Sequence, residues 1–156
     1  MRIRVLSVAR RVPGWVGTAW TEYAARLPRE LALEIVDVTP AAGNTGGPAQ
    51  RMDTEAARLH KAVPRGAWTV ALAARGAPWT SAGLAATLRD WQALGRDVAL
   101  LIGGADGLAP AILAQADQSW SLSPLTLPHA LVRVLLAEQI YRAWTINTGH
   151  PYHSGH

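Results

Sequence analysis

Ile3 to Val8 is a short run of β-branched and apolar residues that predicts a first strand, and Pro13-Gly14 breaks the pattern after it. Trp15, Ala19, Trp20, Tyr23, Ala24 and Leu27 then recur at helical spacing, so a helix is expected over 15–27, closed by Pro28. Alternation returns over Leu33 to Val38 as a second strand, and Pro40 to Pro48, rich in Gly, Asn and Thr, has no period and reads as a loop. A second helix is expected over Gln50 to Val63, ended by Pro64-Arg65-Gly66, and a third strand over Trp68 to Ala73. The third helix runs from Ser81 to Leu94, with Thr80 or Ser81 as its cap and Gly95 as its left-handed stop.

Val98 to Ile102 is unbroken apolar sequence, the signature of a central strand covered on both faces. Gly103-Gly104-Ala105-Asp106-Gly107 turns the chain at its end. A short helix over Pro110 to Ala116, a short strand over Trp120 to Leu122, a long helix over Leu131 to Ile146 and an irregular tail from Asn147 complete the chain. Regular alternation of strands and helices predicts an α/β fold, a mostly parallel sheet of five to six strands flanked by helices.

Composition narrows the function. A length of 156 residues fits one domain over 1–156, and 49% apolar residues supply a core. With no cysteine, disulfides, thiolate-bound zinc and thiol catalysis are excluded. The net charge of +4 is carried almost wholly by arginine, Lys61 being the only lysine. Arginine's planar fork suits phosphate and base stacking, although a GC-rich genome produces the same bias. No signal-like or membrane-length apolar run is present, so a cytoplasmic protein without a membrane partner is the expectation.

Four segments can carry chemistry. Glycines 103, 104 and 107 follow a central strand, where a ligand can approach the backbone; a plain tight turn is the competing reading. Neither a dinucleotide fingerprint nor a phosphate-cradling loop is present, which weighs against a nucleotide-binding oxidoreductase. Trp120 to His129 combines apolar side chains, hydroxyls and two prolines and can wrap an adenosine-like group, or it is a connector with Thr126 as cap. On the last helix His129 and Arg133 share a face, as do Glu138 and Arg142, the latter in the favourable acid-before-base order. The tail holds His150, Tyr152, His153 and His156; an irregular segment suits stacking and proton transfer better than metal binding, and a disordered terminus is the plain alternative.

Asp97–Gly104, Gln118–Ser123, Leu125–His129, Leu131–Val134, Glu138–Trp144 and His150–His153, with Trp20–Tyr23 and Gly76–Trp79, together resemble the RlmH family of knotted SPOUT-type 23S rRNA pseudouridine N3-methyltransferases over essentially the full length. The resemblance implies an α/β knot with a C-terminal trefoil knot and S-adenosylmethionine as cofactor. It implies a homodimer with the active site at the subunit interface, acting on N3 of a pseudouridine in a 23S rRNA hairpin of the large subunit or 70S ribosome. Carried over by motif, Leu72, Gly103, Leu122, Ser123, Pro124, Leu125, Thr126 and Leu127 hold the cofactor. His153, Tyr152, Arg133 and His129 are expected near the acceptor base, Arg142 holds tail or phosphate, and no metal is expected. The sequence departs from the family at the Gly-rich 40–48 loop, at Ala73 where an acid is common, and at the tail's end. A non-catalytic RNA- or ribosome-binding module is the alternative.

Overall fold

The computed structural model describes residues 1–43 and 46–154. Five strands, β1 (Arg2–Val8), β2 (Ala32–Val38), β3 (Trp68–Ala77), β4 (Val98–Ile102) and β5 (Gln118–Trp120), form one sheet in the order β2-β1-β4-β3-β5. Every strand pair is parallel. The helices α1 (Gly14–Ala24), α2 (Pro48–Ala62), α3 (Ser81–Leu94), α4 (Pro110–Gln115) and α5 (His129–Thr148) make the connections and the final layer.

Period-two side-chain geometry splits the core into two layers. Val98, Leu100 and Ile102 of β4 face one side with Trp20 of α1, Leu88 and Trp91 of α3 and Leu136 and Ile140 of α5. Ala99 and Leu101 face the other, with Leu59 of α2 and Ile112 of α4. All five β4 residues are therefore buried, which is why that strand reads as continuous apolar sequence.

Local chemistry sets most of the element ends. Thr80 Oγ1 accepts from the Gly83 amide at 2.9 Å and caps α3, and Gly95 ends it at φ 65°. α1 stops at Ala24, before the expected Leu27: the residue ahead of Pro28 is driven out of the helical region, and the last amides, Arg26 and Leu27, bond three residues back. α5 is longer than expected at both ends, because extended Pro128 launches it directly at His129 and it runs until Gly149 turns left-handed.

Two further differences meet at one place. β3 continues to Ala77 rather than ending at Ala73, and β5 covers 118–120 rather than 120–122. Leu72 and Ala77 both register with Trp120, so residues 73–76 loop out and return, and the Ser121 amide donates to the Ala77 carbonyl at 2.9 Å. Gly76 permits this crossing: a Cβ there would stand 2.6 Å from the Trp120 backbone. The tail folds into a short 3-10 turn, Pro151–His153, with His150 Nδ1 accepting from the Tyr152 amide. His156 and part of the 40–48 loop lie outside the described residues.

Candidate functional site

In an open parallel sheet, connections that leave neighbouring strands in opposite directions open a crevice outside the strands' carboxyl ends. Here β1 connects outward to β2, whereas β4 connects across β3 to β5. The crevice falls between their ends, and a cleft of about 630 Å³ occupies it, lined by Val8 at the end of β1 with Ala9 and Arg11 beyond it, Gly103 and Gly104 beyond β4, and His129. A second cleft, of about 290 Å³, adjoins it on the β3 side. Its wall is the run 120–127 together with Leu72, Ala73, Ala74, Ile102 and Val132. Ile102, Leu127 and Val132 line both clefts, so the two are neighbouring compartments of one site.

The structure thus brings together seven of the eight residues assigned to the cofactor: Leu72, Leu122, Ser123, Pro124, Leu125, Thr126 and Leu127 surround the smaller cleft. The eighth, Gly103, lines the larger compartment immediately beyond Ile102. The 120–127 run keeps its shape through its own hydroxyls. Ser123 Oγ accepts from the Leu125 amide at 2.9 Å, and Ser121 Oγ donates to the Ser123 carbonyl at 3.4 Å. Gly103 is required by packing, since a Cβ would meet the Gly107 carbonyl carbon at 2.5 Å. Behind the turn, Glu55 is buried beside Gly104 and accepts from the Ala41 amide at 3.0 Å, and Arg51 pairs with Asp106 at 2.9 Å.

The residues expected to act on the acceptor separate into two groups. His129 lies in the larger cleft, its Nε2 3.2 Å from Ser7 Oγ. Burial, reinforced by the Arg133 charge, lowers its pKa below the ordinary 6.5, against the smaller opposing pull of a backbone hydrogen bond at Gly103 and of Asp37. The imidazole is therefore neutral at pH 7. Arg133, only 3% exposed, crosses the sheet edge to pair with Asp37.

Arg142, Tyr152 and His153 sit elsewhere in the same chain. Arg142 is thirteen residues beyond His129 on α5, about 20 Å along the axis. It pairs with Glu138 at 2.6 Å, and its guanidinium carbon lies 5.1 Å from the Tyr152 ring centroid. Tyr152 donates to Glu138 at 3.1 Å, and its pKa is pushed up to about 12 by burial and then by the Glu138 charge, so it remains a protonated donor. Its ring meets Tyr141 edge-on at 4.6 Å, and His150 packs on Tyr141 and Trp144. His153 Nδ1 is buried without a hydrogen-bond partner among the described residues. Within one chain, then, the tail is a clamped aromatic cluster remote from both clefts.

Sequence reasoning missed Ser7 and Asp37, which hold His129 and Arg133, and Val132, which with Ile102 lines both compartments. Ser7 carried a signal, a hydroxyl inside an apolar strand; Asp37 did so as an acid at the end of β2. Among the described residues no group of His, Cys, Asp and Glu is arranged to hold a metal ion, and no helix is long and apolar enough to cross a membrane.

Similarity to known proteins agrees with this geometry. A family profile described as "Predicted SPOUT methyltransferase" matches residues 1–153. The chain is 51% identical to the ribosomal RNA large subunit methyltransferase H of Paraburkholderia xenovorans over 98% of its own length and 99% of the relative's. It is equally similar, 51% over the same shares, to the protein of that name from Bordetella pertussis. Among solved structures, a probable methylase family protein from Haemophilus influenzae shares the fold with a TM-score of 0.55 at 14% identity, covering 97% of this chain and 69% of that one. The profile match and the half-identical relatives, both nearly full-length, establish that the chain belongs to the SPOUT methyltransferase family and, within it, to the ribosomal RNA large subunit methyltransferase H proteins.

Proposed function

We propose that this protein is an S-adenosylmethionine-dependent methyltransferase that modifies N3 of a pseudouridine in a hairpin of 23S rRNA within the ribosome, as a cytoplasmic homodimer. The observation that carries the reading is the pair of joined clefts, one fitted to the donor and one to the acceptor, sharing the wall of Ile102, Leu127 and Val132. The family's cofactor is S-adenosylmethionine, and the smaller cleft suits it. Leu72, Leu122 and Leu127 give an apolar slot for the adenine, and the 122–127 backbone gives polar groups at fixed positions. The bound cofactor supplies an electrophilic methyl on a sulfonium. The protein's share is alignment and handling of the acceptor proton.

Neutral His129, steadied by Ser7 and facing the larger cleft, is suited to take that proton or to hold the ring. Arg133, buried against Asp37, lines neither cleft; its part in this reading is electrostatic, its charge helping burial to keep His129 neutral.

The remaining assigned groups, Arg142, Tyr152 and His153, reach a cleft only from a second copy of the chain. Exposed Leu125, Leu131 and Leu135 beside the clefts support a dimer contact at this edge. The reading also includes one domain over 1–156 and a trefoil knot in its C-terminal half, consistent with the close crossing of 73–77 over Trp120 and Ser121.

Calorimetry with S-adenosylmethionine, followed by labelled methyl transfer to unmodified ribosomes, tests the reading. Donor binding that Leu122→Asp abolishes, with transfer to the pseudouridine, supports it. A chain that binds ribosomes but no donor is the non-catalytic module instead. Mixing a Gly103→Val variant with a His153→Ala variant tests the shared site: restored activity places the tail of one protomer in the cleft of the other, and two inactive partners that stay inactive when mixed overturn that placement.

A further inference from the structure

Most arginines here are occupied by the fold: Arg4 pairs with Glu34, Arg26 with Glu22, Arg51 with Asp106, and Arg96 donates to the Gly66 carbonyl. Arg10, Arg11 and Arg75 are different. All three are exposed, and none makes a hydrogen bond or ion pair among the described residues. Because every strand is parallel, segments that follow strands gather at one sheet edge and segments that precede them at the other. Arg10 and Arg11 follow β1, and Arg75 sits in the outlooping segment near the end of β3. Arg29 and Arg65, likewise exposed, precede β2 and β3 and so lie at the opposite edge.

The three arginines bracket the site. Arg11 lines the larger cleft directly, with Arg10 beside it, and Arg75 follows Ala73 and Ala74 of the smaller cleft. A guanidinium left without an internal carboxylate keeps its full donor fork for an external anion, and its geometry matches phosphate. A base turned out of an RNA strand into a pocket leaves backbone phosphates on both sides of the pocket mouth.

We propose that Arg10, Arg11 and Arg75 form a phosphate clamp that seats an RNA strand across the two clefts, Arg10 and Arg11 on one side of the acceptor base and Arg75 on the other. The clamp rests on the methyltransferase reading above and adds to it the residues that hold the RNA backbone. It positions substrate and takes no part in the transfer itself.

The test uses full-length protein and unmodified ribosomes, with Arg10→Ala/Arg11→Ala, Arg75→Ala and the opposite-edge control Arg29→Ala/Arg65→Ala. The clamp variants should raise KM for ribosomes on the order of tenfold with kcat at saturation unchanged. The dependence of log kcat/KM on log salt should become shallower by about 0.7 to 0.9 for each phosphate that the variant no longer neutralises. Donor binding by calorimetry and thermal stability should match the parent in every variant. Parent-like KM and salt slope in both clamp variants, or an equal change in the control, would overturn the clamp while leaving the enzyme reading intact. Failure of the unsubstituted protein to bind donor would instead remove the reading and the clamp with it.

Discussion

The Nε2 atom of His129, the first residue of α5, lies 3.2 Å from the hydroxyl of Ser7, near the carboxyl end of β1. One contact thereby fixes the start of the last helix to the sheet edge where both clefts open. Its pH behaviour follows from burial. The folded pKa is lowered below 6.5, so between that lowered value and 6.5 the unfolded chain binds more protons than the folded one. Stability contributed by neutral His129 is complete above 6.5 and is lost as pH falls through the folded pKa. The melting temperature should drop on acidification below 6.5, and His129→Gln should flatten that drop. A variant with the parent's pH profile would disprove the assignment.

Gly103→Ala should lower unfolding stability by about 1–3 kcal/mol, because the new Cβ must push the Gly107–Leu108 backbone away. Donor affinity should fall with it. Gly14→Ala is the matched control: nothing lies within 4 Å of a Cβ there, and stability should stay within about 0.5 kcal/mol. Urea titration of both variants decides the matter.

Gln118 Oε1 accepts from two indoles, Trp68 Nε1 at 2.9 Å and Trp91 Nε1 at 2.8 Å. Gln118→Ala removes the shared acceptor and strands both donors. Trp91 is buried and Trp68 only half-buried, so at about 1–3 kcal/mol for a fully buried unsatisfied group and less for the other, the loss should approach 2–4 kcal/mol, seen as a lower denaturation midpoint.

Arg133 is buried while its partner Asp37 keeps a 55% exposed side chain, so the two ends of the pair differ in their mutational cost. Asp37→Asn leaves a buried cation uncompensated and should cost about 1–3 kcal/mol. Arg133→Met fills the same space without charge and should be better tolerated, while methylation of ribosomes collapses. Normal turnover by Arg133→Met would take this residue out of the mechanism.

If the proposed dimer forms through the exposed face of α5, Leu131→Asp/Leu135→Asp should yield a monomer by light scattering and abolish methyl transfer, because the new charges could not be buried against a second copy. An active monomer would refute the shared site.

Much of this fold could be read from the chain because its elements are locally encoded. Continuous burial of Val98–Ile102, the cap at Thr80 and the stop at Gly95 all follow from neighbours in sequence. The glycine turn and the segment Trp120 to His129 were also visible as stretches able to meet a ligand. Their meeting was not derivable from spacing, for it depends on strand order: only β4 lying between β1 and β3, with β5 outside β3, sets the compartment lined by Gly103 next to the one lined by Leu122 and Leu72. The partners Ser7 and Asp37 were hidden for the same reason, since they lie 122 and 96 residues from His129 and Arg133. Periodicity fixes which face of an element is apolar; packing alone decides which distant polar atoms then share that edge. The tail shows the division most sharply. Its aromatic and basic composition was plain in the sequence, whereas its docking on Tyr141 and Glu138, away from the clefts of its own chain, came from tertiary contacts that bury those rings.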